Sequence, residues 1–135
     1  MRTRRNVFLL SILFIVAGLM HFVVPNRYMG IMPPWIPYQL EMVYVSGVAE
    51  FLGGVGLVLP RFRKTAGFGL ILLLIAVFPA NVQMLGNAMR DGGSLLYIAL
   101  LFLRLPLQPL LIVWVYHAAI ESHGEAMTQL PRTSL

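Results

Sequence analysis

The chain has 135 residues, of which 59% are hydrophobic and 11% are charged; its net charge is +5 and it contains no cysteine. A soluble domain carries about 25% charged residues and, when this short, leaves much of its surface in water. The composition therefore predicts that lipid rather than water surrounds most of the chain. The missing cysteines exclude disulfides, thiolate metal sites and thiol redox relays within this sequence.

The positive charge is concentrated in two short clusters, each next to an apolar run. The clusters are Arg2, Arg4 and Arg5, and Arg61, Arg63 and Lys64. This distribution is the positive-inside pattern of membrane proteins and differs from a nucleic-acid-binding patch. We therefore expect the lipid bilayer as the main partner and no nucleic acid.

The length accommodates four membrane-spanning helices. A spanning helix needs roughly 20 apolar residues, so four spans use about 80 residues and leave too few of the 135 for a fifth. The predicted spans are residues 7–24, 42–59, 65–85 and 95–118. We expect an all-α membrane protein: an up-down bundle of four transmembrane helices forms a single domain, residues 1–120, and a polar cytoplasmic tail, residues 121–135, follows.

The segment between the first two spans is predicted to lie at the membrane interface. Its prolines lack the amide donor that a helix interior needs, and its aromatic side chains favour the membrane–water boundary. These residues are Pro25, Tyr28, Pro33, Pro34, Trp35, Pro37 and Tyr38. The pattern predicts a cap over the bundle, with one helical turn at residues 27–31.

Two further departures from regular helix are predicted. Residues 86–94 form a short polar stretch that predicts a loop between the third and fourth spans. In the fourth span, Pro106 and Pro109 are expected to interrupt the helix, because each removes a backbone hydrogen bond.

The basic residues also predict sidedness. The N-terminus, the loop between the second and third spans and the tail contain three, three and one Lys or Arg, whereas the opposite loops contain only Arg27 and Arg90. Because basic residues concentrate on the cytoplasmic side, we expect both termini in the cytoplasm. In a bacterial cell, the predicted location is the inner membrane.

Ionisable side chains inside the spans are the main functional signal. Such groups are costly in hydrocarbon and normally face the bundle interior, where they have a partner. At 1.5 Å per residue, Glu50 and Arg104 lie ~12 Å and ~14 Å from the outer ends of their helices, while His21 is near the outer end of the first span. We therefore predict that Glu50 and Arg104 communicate, by direct contact or through one bridging group.

Polar residues on all four spans gather in the outer half of the membrane. They predict a ligand-binding site formed by His21, Glu50, Asn81, Arg104 and Gln108. Small residues one turn on either side of Glu50 would let a neighbouring helix approach closely. No metal site is predicted, because His117 and His123 lie a membrane thickness away from His21. The sequence assigns no catalytic residue.

The chain resembles the DoxX family of small four-helix bacterial membrane proteins across roughly residues 15–115. The matching stretches are Gly18-x-x-His21-Phe22 with Pro25 and Tyr28, Pro33-Pro34-Trp35-Ile36-Pro37, Ser46-Gly47-x-x-Glu50-x-x-Gly53-Gly54, Phe78-Pro79-Ala80-Asn81-x-x-Met84 and Leu103-Arg104-Leu105-Pro106-Leu107-Gln108. The resemblance implies an up-down four-helix bundle. It also implies a link to quinone-dependent redox enzymes and to oxidative stress.

Three functions follow as expectations. The first is a binding module that holds a small apolar molecule with a polar head, such as a quinone, as a redox-linked accessory or anchoring subunit. No covalently bound cofactor is expected, and a redox-enzyme subunit or a second copy is the expected protein partner. The second is a purely structural, partner-docking subunit in which Glu50 and Arg104 only fix helix register. The third is a small membrane enzyme of the isomerase type that uses Glu50 or His21 for proton transfer.

Overall fold

The computed structural model describes residues 2–121, and every regular element in that range is helical. The elements are α1 (Arg2–Val23), α2 (Pro25–Met29), α3 (Gln39–Val58), α4 (Arg63–Arg90), α5 (Leu95–Tyr116) and a final π-helical turn (His117–Glu121). Four of the stretches are long and apolar enough to cross a membrane: Arg4–Val23, Gln39–Val58, Arg63–Arg90 and Leu95–Glu121. The predicted helical class with four candidate spans is confirmed; the predicted tail beyond residue 121 lies outside the described residues.

Two predicted breaks in the helices are wrong. Helix α4 continues to Arg90, so the first part of the predicted loop is helical, because Asn87 Oδ1 accepts hydrogen bonds from Gln83 Nε2 (2.9 Å) and Arg90 Nη2 (2.6 Å) along the helix. The turn follows at Gly92, whose φ of +68° suits glycine. Helix α5 runs unbroken through Pro106 and Pro109, since its remaining backbone hydrogen bonds sustain the helix.

Side-chain contacts show that neighbouring long helices are antiparallel. Between α1 and α3, the Ser11 hydroxyl donates to the Gly54 carbonyl at 2.7 Å, whereas the later residue Gly18 meets the earlier residue Gly47. The same reversal joins α3 to α4, because Gly53 faces Leu70 while the later residue Gly56 faces the earlier residue Ala66.

Helices α4 and α5 are antiparallel as well. Gly67, near the start of α4, packs against Ala119, just beyond α5. Towards the other end of α4, Leu85 packs with Leu101, near the start of α5. The four long helices therefore run up and down in chain order.

Glycine brings α1 and α3 into backbone contact. A Cβ atom at position 18 would lie 2.7 Å from the backbone nitrogen of Phe51 and 2.8 Å from the carbonyl oxygen of Gly47. No other residue type allows this approach, which is how small residues hold helices together where lipid removes the usual hydrophobic driving force.

The bundle has two unlike halves. The half that contains the start of α1 is filled by a continuous core, which we call the closed half: Val7, Leu10, Phe14, Leu57, Leu70, Leu74, Val115, Ala118 and Ala119. The half towards α2 contains a cavity of about 280 Å³, and we call it the cavity half. Leu74 and Phe14 lie on the boundary, because both belong to the core and also line the cavity.

Candidate functional site

The cavity is the meeting point of all four long helices. Every residue that the sequence predicted for the site lines it: His21 from α1, Glu50 from α3, Asn81 from α4, and Arg104 and Gln108 from α5. The remaining wall is largely apolar and includes Leu13, Val43, Leu73, Val77, Leu107 and Leu111. A mostly apolar wall with a few converging polar groups is the usual composition of a small-molecule site.

His21 and Glu50 form the first polar contact of the site. The imidazole Nδ1 lies 3.4 Å from Glu50 Oε2 and 2.9 Å from the carbonyl oxygen of Ala17, one turn earlier in α1. The His21 side chain is buried, with 8% of its residue surface exposed. The carboxylate therefore finds its direct partner on α1, and the two helices are tied together at this level.

The contact between these two residues depends on Gly47, one turn before Glu50 in α3. A Cβ atom at Gly47 would lie only 2.6 Å from the Cβ atom of His21. Any larger residue would push α1 away and would move the imidazole from the Glu50 carboxylate. The run of small residues around Glu50 thus sets the spacing of the two functional side chains.

Asn81 and Gln108 form the second polar contact, between α4 and α5. Asn81 Nδ2 donates to Gln108 Oε1 at 2.5 Å, and Gln108 Nε2 donates to the backbone carbonyl of Leu74. Both side chains are buried. Each amide therefore meets a hydrogen-bonding partner in a region where an unpaired polar group would be costly.

Two routes between Glu50 and Arg104 were predicted, a direct contact or one bridging group, and the structure does not have the direct contact. Among the described residues, ion pairs shorter than 4.0 Å join Glu50 to His21 and His117 to Glu121, and none includes Arg104. Arg104 is exposed and lines the cavity. Asn81 and Gln108 bind each other rather than bridging the two charges.

Tyr28 is a member of the site that the sequence analysis assigned only to the interfacial cap. Its ring stacks on His21 with a centroid separation of 3.9 Å and an interplanar angle of 22°. Burial raises the pKa of the Tyr28 phenol, the Glu50 carboxylate raises it further, and the Arg104 guanidinium opposes both effects. Both charges of the site therefore act at Tyr28. The helix is broken at Val24, between α1 and α2, so helical spacing from His21 gave no signal of this contact.

The segment after α1 covers the cavity with its first part only. Tyr28, Ile31 and Met32 line the cavity, and the carbonyl of Gly30 accepts a hydrogen bond from Asn87 Nδ2 of α4 at 3.3 Å. Further along, Trp35 and Tyr38 are 73% and 76% exposed. The cap thus bridges the mouth of the bundle and presents its remaining aromatic side chains outward.

The histidines near the end of the chain lie apart from the site. His117 contacts Glu121 beside the closed half, and His123 lies outside the described residues. Within residues 2–121, no three His, Cys, Asp or Glu side chains are grouped as metal ligands.

Comparison with known families gives one match. The profile of a family described as Domain of unknown function (DUF8561) matches residues 10–119, which include most of α1, all of α3, α4 and α5, and every residue of the site. No curated protein and no solved structure matches the chain. The match does not test the DoxX resemblance, which stays a prediction.

Proposed function

The chain belongs to the DUF8561 family, and we propose that it is a multi-pass membrane protein that binds a small apolar molecule with a polar head group, of the quinone type. One observation carries the proposal: side chains from four helices converge on a single cavity. Its polar groups lie on both sides, with His21 and Glu50 on one and Asn81, Arg104 and Gln108 on the other.

The size and wall of the cavity fit such a ligand. Its volume of about 280 Å³ is just below the ~300–1,000 Å³ usual for small-molecule sites. This space suits a single substituted ring with its polar atoms among the five side chains. An apolar tail attached to the ring would extend from the cavity to the lipid-facing surface, where it would contact lipid chains.

Two features favour binding over a purely structural role. A bundle whose polar groups only fixed helix register would need a filled core and a direct Glu50–Arg104 pair. The cavity half instead contains open space, and Arg104 reaches it without an ion-pair partner among the described residues. An unpaired guanidinium beside a cavity is a natural binding group for a ligand oxygen.

The cellular role follows from the same chemistry. The sequence contains no cysteine, so a redox link would make this protein an accessory or anchoring subunit that holds the quinone-type ligand for a partner enzyme. This part of the proposal rests on the resemblance to the DoxX family. A redox-enzyme subunit and a second copy of the chain are the proposed protein partners.

A small proton-transfer enzyme, such as an isomerase, is the second candidate. The contact of 3.4 Å between His21 Nδ1 and Glu50 Oε2 places two proton-exchanging groups side by side in an apolar cavity. An enzyme of this kind would lose turnover in the Glu50→Gln variant while it still bound its substrate. A binding module would show no turnover in either form.

We place the protein in the bacterial inner membrane with both termini in the cytoplasm. Antiparallel packing puts Arg4 and Arg5 at the same end of the bundle as Arg61 and Lys64, while Arg27 and Arg90 lie at the other end. Basic residues concentrate on the cytoplasmic side. Reporter fusions after Gly92 and at the C-terminus should give opposite sidedness, and equal signals would contradict this arrangement.

The binding proposal is tested by identifying what co-purifies with the protein. Lipid extraction and mass spectrometry of protein purified from its native membrane should reveal a small apolar molecule with oxygen-bearing polar groups. Val77 lines the cavity and Val82, on the same helix, is 46% exposed, so the two positions form a matched pair. We expect Val77→Phe to lose the molecule because phenylalanine fills the cavity, whereas Val82→Phe retains it.

Equal amounts of the molecule in the wild-type protein and in both variants would place it outside the cavity. A wild-type protein that carries no such molecule, and that takes up no added quinone, would contradict the proposal.

A further inference from the structure

We infer that the cavity selects a head group that donates hydrogen bonds, a dihydroxy ring in preference to a dicarbonyl ring of the same carbon skeleton. The inference rests on the proposed function and adds the hydrogen-bonding polarity of the ligand. The orientation of the polar side chains in the cavity half supports this polarity.

The orientation of the Gln108 amide is fixed by the backbone. The carbonyl of Leu74 can only accept hydrogen bonds, so Gln108 must present its Nε2 group to that carbonyl. The other end of the amide, Oε1, then faces Asn81. Because Oε1 is an acceptor, Asn81 in turn must present its Nδ2 group.

This chain of contacts leaves the carbonyl oxygen of Asn81 for the ligand. No hydrogen bond among the described residues uses Asn81 Oδ1. Every buried side-chain oxygen or nitrogen atom among these residues has a hydrogen-bond partner, so an atom without one is not buried. Oδ1 is therefore accessible, and Asn81 lines the cavity. The α4 side of the cavity offers an acceptor.

His21 offers a hydrogen-bond acceptor on the opposite wall of the cavity. Its Nδ1 faces two acceptors, the Ala17 carbonyl oxygen and Glu50 Oε2, so Nδ1 bears the proton. In a neutral imidazole the other nitrogen, Nε2, is then an acceptor.

Arg104 supplies the complementary donors. A guanidinium has five N–H donors and no acceptor, and none of the hydrogen bonds or ion pairs among the described residues involves Arg104. A hydroxyl group can donate to Asn81 or His21 and also accept from Arg104. A carbonyl oxygen can only accept, so a dicarbonyl ring satisfies Arg104 and leaves the acceptors of the cavity unpaired.

The test compares three ligands that share one ring: trimethylhydroquinone, trimethylbenzoquinone and the dimethyl ether of trimethylhydroquinone. Binding to the full chain in lipid nanodiscs is measured by equilibrium dialysis under argon, with empty nanodiscs as the background for partition into lipid. We expect the dihydroxy ring to bind on the order of tenfold more tightly than the dicarbonyl ring, because buried acceptors without a donor are costly. The ether, which cannot donate, should bind no better than the dicarbonyl ring.

Two substitutions test whether Asn81 causes the preference for the dihydroxy ring. Asn81→Leu removes the free acceptor and should reduce the ratio between the dihydroxy and dicarbonyl affinities. Gln83→Leu also removes an amide from α4, but Gln83 does not line the cavity and bonds to Asn87, so the ratio should stay at its wild-type value. The ratio is the relevant measurement, because a general loss of packing would weaken both ligands alike.

The outcomes separate this inference from the proposed function. If the wild-type protein binds the dicarbonyl ring as tightly as the dihydroxy ring, the inferred polarity is wrong while the proposed function stands. An unchanged ratio in Asn81→Leu would likewise overturn it. If none of the three ligands binds above the empty nanodiscs, the proposed function fails and this inference fails with it.

Discussion

The closed half and the cavity half are built from the same four long helices but differ in what fills the space between them. In the closed half, large apolar side chains such as Leu10, Leu57 and Val115 interlock and are fully buried. In the cavity half, polar side chains such as His21 and Glu50 stand among apolar ones, and a cavity of about 280 Å³ remains.

The cavity arises between two pairs of helices. Helices α1 and α3 stay in backbone contact at Gly18 and Gly47, level with the site, so the cavity does not come from their separation. It lies between the α1–α3 pair and the α4–α5 pair, where the closed half has Leu70 and Val115. The closed half therefore holds the two pairs together, and the cavity half is free to hold a ligand.

The largest expected effect is a loss of stability in the closed half. Leu10→Ala should destabilise the protein by about 2–5 kcal/mol, towards the lower end because an unfolded helix keeps this leucine in lipid and only the lost packing counts. Leu73→Ala removes the same atoms beside the existing cavity and should cost less. Unfolding by SDS in mixed micelles measures both; equal losses would contradict the contrast between the halves.

The second largest effect is expected at the close contact between α1 and α3. Gly18→Ala places a methyl group against the backbone of Phe51 and Gly47, and overpacking of this kind costs about 1–3 kcal/mol. At Gly69, on α4, a methyl group would meet no other atom within 4 Å, so Gly69→Ala should be neutral or slightly stabilising. The same SDS titration reports both, and a neutral Gly18→Ala would show that α1 and α3 are further apart than described.

The smallest effect concerns the polar contacts of the cavity half. A double-mutant cycle with His21→Phe and Glu50→Gln should give a coupling energy of about 0.5–3 kcal/mol, because the two groups are in contact. The cycle with Glu50→Gln and Arg104→Gln should give a smaller value, since no ion pair joins them among the described residues. A larger coupling for the second cycle would contradict this assignment and would favour a direct contact between Glu50 and Arg104.

The sequence predicted the long helices and the polar side chains that line the cavity because both follow from local signals. Runs of apolar residues identify the long helices, and a polar residue inside such a run must face a partner. The details that it missed depend on other elements: Glu50 contacts His21 because Gly47 admits α1, and Gln108 binds the Leu74 carbonyl of a neighbouring helix. The helical end of α4 was missed because Asn87 bonds to Gln83 and Arg90 within the same helix.

Cysteine labelling tests the contrast between the two halves most directly, because the chain has no cysteine of its own. Ser46 lines the cavity, whereas Ser11 is 2% exposed and bonds to the Gly54 carbonyl between α1 and α3. With the small neutral reagent methyl methanethiosulfonate, we expect Ser46→Cys to react in the folded protein and Ser11→Cys to react only after unfolding in SDS. Added trimethylhydroquinone should slow the reaction at position 46. Equal rates at the two positions in the folded protein, or no protection by the added ligand, would contradict a ligand-binding cavity in one half of a bundle that is closed in the other.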